Sequence, residues 1–230
     1  MPKLTWIGHA AFILEDGDNM VLIDPFITGN PVTTHTADQL SPRTILLTHA
    51  HNDHVGDTVA IAKRTGAKVI STFELGIWLN EVQGVEGATP ANHGGTVEFE
   101  GGTVKLTPAW HTSSYQVGDT FVAPGIPAGL VVRFGGKTIY FAGDTCLFGD
   151  MTLIGEEGLD VAVLPIGDHY TMGPADAVRA AELLKAKTVI PGHYNTFDLI
   201  SQDGHDFKRQ VEARTSSKVA LLAPGESLTL

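Results

Sequence analysis

Apolar and polar residues alternate in short runs along the first forty-seven positions. Lys3-Leu4-Thr5-Trp6-Ile7 alternates with a period of two, Ala10 to Leu14 is apolar, and Met20-Val21-Leu22-Ile23 follows the turn signal Asp16-Gly17-Asp18-Asn19. These patterns predict three strands. After a loop rich in Gly, Pro and Thr from Pro25 to about Leu40, Thr44-Ile45-Leu46-Leu47 reads as a buried strand that ends at Thr48-His49. Residues 55–65 read as a helix, Lys68-Val69-Ile70 as a strand, and residues 73–82 as a second helix. Thr96 to Phe99 and Thr103 to Thr107 read as a hairpin around Glu100-Gly101-Gly102.

The second half repeats this order. Gly129 to Phe134 and Thr138 to Phe141 flank Gly135-Gly136, and Val161 to Leu164 is a continuous apolar strand. Pro174 opens a helix through Lys185, where a first-turn proline costs no backbone hydrogen bond. Thr188-Val189-Ile190 is a strand that ends at Pro191-Gly192-His193, and Lys218 to Leu222 and Ser227 to Leu230 close the chain. Strands followed by helices, twice over and mixed with hairpins, predict a layered α/β fold with mixed sheets. With no linker in view, residues 1–230 are expected to form one unit of two similar halves, about 1–125 and 126–230.

Composition narrows the function classes. Hydrophobic residues make up 43% and charged residues 18%, which excludes intrinsic disorder. Twenty-six acidic against 15 basic residues give a net charge of −11, which argues against nucleic acid as a partner because that binding needs Lys and Arg on phosphates. The single cysteine, Cys146, excludes an internal disulfide and a cysteine-based zinc site, and it is expected as a small buried residue. No apolar run reaches the roughly 18 residues that span a bilayer, and the first fifteen residues lack a signal-peptide pattern, so a cytoplasmic protein without membrane partners is expected.

One segment carries chemistry. His49-Ala50-His51-Asn52-Asp53-His54 directly follows the apolar strand. Imidazoles and carboxylates are ligands for borderline transition metals, and four of them in six residues at a strand end can surround one point. With ten histidines in 230 residues, an H-x-H-x-D-H run is expected by chance in about 0.001 sequences of this size. No G-x-S-x-G elbow supports a serine nucleophile, and no G-x-G-x-x-G supports a dinucleotide site.

This motif, followed in order by Trp110-His111, Gly143-Asp144-Thr145 and Gly192-His193, each after an apolar strand, resembles the metallo-β-lactamase-fold hydrolases over roughly residues 3–225. Trp6-Ile7-Gly8-His9-Ala10 and the run from Pro165 to Pro174 are similar to a bacterial and archaeal subfamily of metal-dependent hydrolases near the ascorbate-6-phosphate lactonases, and more distantly to N-acyl-phosphatidylethanolamine phospholipase D. The resemblance implies an αββα four-layer sandwich. It also implies two divalent ions, zinc first, with manganese, iron and nickel also suited to such ligands. His49, His51 and His111 would hold one ion, Asp53, His54 and His193 the other, and Asp144 would bridge them. His at position 51 departs from the diiron flavoprotein branch, which has Glu there.

The reaction so implied is hydrolysis of a small ester, lactone or phosphoester by a hydroxide shared between the ions, with Asp53 or Asp144 orienting it. Phosphodiester cleavage and a non-catalytic metal sensor are the alternatives. His169 or His9 is the candidate proton donor to the leaving group. Asp24 is expected to orient a ligand histidine through its second ring nitrogen. Asp57 is a candidate for the same job or for a helix cap. His9 is placed near the ions, and His35 at the mouth. Self-association is implied by the resemblance alone, and a small molecule is the expected partner.

Overall fold

The computed structural model describes residues 1–230. Its first sheet takes β1 (Lys3–Gly8), β2 (Ala11–Asp16), β3 (Asn19–Ile23), β4 (Thr44–Leu46), β5 (Lys68–Thr72) and β6 (Ala88–Ala91). The helices α1 (Asn52–Val55), α2 (Thr58–Thr65) and α3 (Phe73–Glu81) lie between these strands. The second sheet takes β7 (Thr96–Phe99) and β8 (Gly102–Pro108), then, beyond a separate ribbon of β9 (Tyr115–Val117) and β10 (Thr120–Val122), β11 (Ala128–Phe134) and β12 (Lys137–Phe141). After α4 (Met151–Gly155) come β13 (Val161–Pro165), α5 (Pro174–Leu184), β14 (Thr188–Gly192), α6 (Gly204–Arg214), β15 (Lys218–Val219) and β16 (Ser227–Thr229).

The strand orders are β16-β1-β2-β3-β4-β5-β6 and β7-β8-β11-β12-β13-β14-β15. Each sheet runs through three antiparallel pairings and then three parallel ones. The chain passes from one sheet to the other between β6 and β7, well before the expected boundary at 125–126, and β16 returns to pair with β1. The β7–β8 hairpin looked like first-half material in the sequence. Its register with β11 (Leu106 opposite Leu130) puts it in the second sheet.

The period-two pattern explains the layers. Leu4, Trp6, Phe12, Leu14, Val21, Ile23, Leu46 and Ile70 belong to the core shared with the second sheet. Their neighbours Ile13, Leu22, Ile45, Leu47 and Val69 pack instead with Ile61, Leu75 and Leu79 of α2 and α3. Successive side chains of a strand point to opposite faces, so one run of sequence fills two layers. Ala177, Val178, Ala181, Leu184, Phe207 and Val211 cover the outer face of the second sheet from α5 and α6, which completes helix, sheet, sheet, helix. Each fully buried Leu or Ile contributes about 1.5–3 kcal/mol.

One predicted helix is broken, and one helix was not predicted. The helix expected at 55–65 breaks at Gly56, where φ is 43° and a β-carbon would lie 2.4 Å from the Pro25 carbonyl oxygen. That close approach packs the motif turn against the end of β3 and separates α1 from α2. α6 was not expected; Asp203 caps it by accepting from the N–H groups of His205 and Asp206. No helix is long and apolar enough to cross a membrane.

Candidate metal centre

The parallel strands β3, β4, β12 and β14 all end on the same edge of the sandwich, where each hands over a side chain. Asp24 follows β3, His49 to His54 follow β4, Asp144 follows β12 and His193 follows β14. His111 comes after β8 and His9 after β1, both aligned with these strands through two antiparallel steps. Loops leaving the carboxyl ends of strands converge, and sites form there.

Three of these residues turn the corner in the left-handed region: His9 (φ 57°), Asp24 (φ 43°) and His193 (φ 50°). Non-glycine residues in this region carry strain, which is held where the surroundings fix it. Here it is fixed by backbone pairing. The His9 carbonyl accepts from the His193 N–H at 2.9 Å and from the Trp6 ring N–H at 2.9 Å. Asp24 donates its N–H to Leu46 at 3.1 Å. Gly143 has φ 61°, and a β-carbon there would lie 2.8 Å from Thr48, so glycine lets the Asp144 loop approach the motif.

Eight side chains draw together in two groups. His49, His51, His111 and Asp144 form one, and Asp53, His54 and His193 with His9 form the other. Asp144 links them, with its Oδ2 3.1 Å from His193 Nε2, 3.4 Å from His54 Nε2 and 3.5 Å from His111 Nε2. The six ligands and the linking carboxylate that the resemblance implies are therefore brought to one place.

Their second nitrogens are held. Asp24 is buried and accepts from the Thr48 N–H (2.8 Å), the Thr48 hydroxyl (2.5 Å) and His54 Nδ1 (2.8 Å). The Thr48 oxygen in turn accepts from His49 Nδ1 at 3.0 Å. Both rings thus have Nδ1 tied down and Nε2 turned inward, the arrangement that orients a metal ligand. The expectation for Asp24 holds in geometry. Thr48 was missed, although a hydroxyl placed directly before the first histidine was a visible signal.

The donor set fits divalent cations. His54 Nε2, Asp144 Oδ1 and both His193 ring nitrogens are buried without a hydrogen-bond partner. Such orphans are rare in proteins and are explained by a missing ion or water. Electrostatics agrees. Burial alone would lower His54, yet Asp144 and Asp24 outweigh it and hold the ring well above its ordinary value. Burial would raise Asp144, and the histidines, His193 first, hold it far below the carboxylate range. Carboxylates this deep call for positive charge.

Burial lowers His49, His51 and His111. These rings are free bases at neutral pH, as ligands must be. Burial, with His193 beside it, lowers His9 to about 4. An unfolded imidazole titrates near 6.5, so between about 4 and 6.5 the unfolded chain binds more protons than the folded one, and stability rises with pH. His54 runs the other way, contributing below about 6.5 and losing that contribution as pH climbs through its raised value. Below about 6.5 His54 is protonated in both states and adds no slope, so the lowered rings set the direction. Metal-free protein is expected to unfold at lower urea at about pH 5 than at about pH 7, and an equal or higher midpoint would contradict these environments.

Other residues stand differently from expectation. His9 is not free: its Nε2 donates to Asp53 Oδ2 at 2.9 Å, and its Nδ1 accepts from the Thr196 hydroxyl at 3.0 Å. Being 1% exposed with both nitrogens engaged, it positions Asp53 and has no proton for a substrate. Asp57 neither orients a histidine nor caps α2; it accepts from the N–H groups of Ile27 and Thr28 and from the Thr28 hydroxyl, pinning the loop after β3. Cys146 is exposed, not buried. His169 lies exposed, packed edge-on against Tyr170 at 4.4 Å and outside both ligand groups. Its loop is tied to the Asp144 loop by the Met172 N–H to Thr145 carbonyl bond of 3.0 Å. His35 is half-buried in its loop. Asn52, not singled out before, exchanges two bonds with Gln116 and clamps the β9–β10 ribbon to the motif.

Comparison with known proteins places this arrangement. A family described as the beta-lactamase superfamily domain matches residues 19–194. The chain is 50% identical over 230 residues to a UPF0173 metal-dependent hydrolase of Thermus thermophilus, covering all of both chains. It is 46% identical over 229 residues to one of Methanosarcina mazei, covering 99% of this chain and 98% of that one. Among solved structures it resembles Igni18, a metallo hydrolase from the archaeon Ignicoccus hospitalis, with a TM-score of 0.87, 40% identity and coverage of 99% and 97%.

Proposed function

This chain belongs to the UPF0173 metal-dependent hydrolases of the β-lactamase superfamily, and from that premise we propose that it hydrolyses a small ester or lactone at a centre of two divalent ions. The observation that carries the proposal is the single Asp144 oxygen faced by three ring nitrogens from three separate segments. One carboxylate between two clusters of donors is what a pair of cations needs to offset their repulsion. His49, His51 and His111 would hold one ion, and Asp53, His54 and His193 the other, with Asp144 between. When bound, such ions polarise the substrate and make water acidic enough to attack at neutral pH.

The chain's own residues do the rest. Asp53, 36% exposed, stands between the ligand groups and an open groove, so it is the carboxylate that meets solvent and substrate. Burial would raise it, but the hydrogen bond from His9 holds it well below the carboxylate range, so it stays ionised and can accept a hydrogen bond from a water it orients. Thr196 fixes His9, and His9 fixes the Asp53 carboxylate, so the acceptor keeps one orientation. His169 is exposed on the loop after β13, which a backbone bond ties to the Asp144 loop, and we assign it the proton delivered to the leaving oxygen. Phosphodiester cleavage is the second reading, since the same donors suit a phosphorus centre.

The test is turnover of lactones, p-nitrophenyl esters and bis-p-nitrophenyl phosphate by metal-loaded protein, with and without chelator. Ester or lactone turnover that the chelator abolishes is expected. His169→Asn is expected to slow esters with poor leaving groups about 10–100-fold and to spare good ones. Turnover of the phosphodiester alone would favour the second reading, and no turnover with two ions bound would make the chain a sensor.

A further inference from the structure

Positive charge is absent from the working end of this molecule. The segments that leave the site-side ends of the strands (9–10, 24–40, 47–57, 109–127, 142–150, 166–173 and 193–203) contain no Lys or Arg. All fifteen basic residues lie elsewhere. Lys3, Lys68, Lys137, Thr188's neighbour Lys187 and Lys218 sit at the opposite ends of their strands. On the flanks, Lys105 and Arg133 are paired with Glu157, and Arg209 with Asp206.

Carboxylates are not scarce there. Asp24, Asp53 and Asp144 belong to the centre, and Asp57 lines the groove beside Asp53. Four formal negative charges balance the four positive charges of two divalent ions. A second anionic group on a substrate would meet no uncompensated positive charge and no guanidinium fork, which is how proteins hold carboxylate and phosphate.

What the rim offers is aromatic. The groove, of about 570 Å³, has Phe26 and Phe197 as its apolar walls, and both rings pack edge-on against His9. Trp110, next to His111, is 63% exposed. Two aromatic rings set beside Thr28, Asn52 and the carboxylates of Asp53 and Asp57 suit an uncharged ligand body.

We propose that the substrate is uncharged and apolar beyond its reacting group, so that a phosphorylated sugar lactone is selected against. This rests on the hydrolytic reading above. Two matched esters test it on the zinc-loaded full chain: p-nitrophenyl pentanoate and p-nitrophenyl hydrogen glutarate, which differ by a terminal methyl against a terminal carboxylate. The pentanoate is expected to have a kcat/KM at least about tenfold higher, the effect of a few like charges at close range. Phe197→Lys is expected to close most of that gap. Equal or better use of the glutarate ester, with a KM that rises with salt, would overturn the inference and leave hydrolysis standing. If neither ester turned over, hydrolysis would fail, and chemical-shift titration with the unreactive amides pentanamide and glutaramate would still read the charge preference. Tighter pentanamide supports the inference, and tighter glutaramate overturns it.

Discussion

Asp144→Ala is expected to lower kcat/KM by at least about a thousandfold, because ions in such a site supply several kcal/mol of charge stabilisation and each 1.4 kcal/mol is a factor of ten. Asp144 is the carboxylate that faces ligands of both groups, at 3.1 to 3.5 Å from three ring nitrogens. Without it, two cations would face each other with no shared anion, and at most one is expected to remain by elemental analysis. The fold is expected to survive. The two apolar cores do not include Asp144, and the loop that carries it is held by backbone bonds such as Cys146 N–H to Trp110 and Met172 N–H to Thr145. Activity within tenfold of wild type, or two ions retained, would contradict the assignment.

Asp24→Ala should have the second largest effect, and on a different quantity. Asp24 touches no substrate. It accepts three buried donors, so its loss strands the Thr48 N–H and His54 Nδ1, at about 1–3 kcal/mol for each buried group left unpaired. It also frees the ring that must present Nε2, and loss of such a partner weakens metal binding about 10–100-fold. Asp24→Asn separates the two effects. Its amide oxygen still accepts from Thr48, so thermal stability should largely return while metal affinity stays low. A variant that recovered both would show that Asp24 serves packing alone.

The sequence revealed different parts of this site for different reasons. Strands were legible because short apolar runs such as Phe12-Ile13-Leu14 feed two cores at once, and the HAHNDH turn because four donors in six residues is improbable by chance. His111, Asp144 and His193 were visible only through resemblance, since nothing local marks a lone histidine after a strand as a ligand. Asp57 was misread because its partners, Ile27 and Thr28, lie thirty residues away across a contact that Gly56 makes possible. His9 looked like a proton donor until its engagement with Thr196 and Asp53 appeared, 187 and 44 residues distant. The chain's crossing between sheets at β7 depended on register with β11, a pairing that hydrophobic pattern alone does not set. Local periodicity therefore reports layers, whereas the partners that tune a site are long-range and silent in it.

The most direct measurement is the anomalous scattering of crystals grown with ample zinc, collected above and below the zinc edge. Two peaks are predicted, one against His49, His51 and His111 and the other against Asp53, His54 and His193, with the Asp144 carboxylate touching both. A single peak with Asp144 unengaged, or ions bound elsewhere while His111 and His193 face away from the motif, would contradict the account.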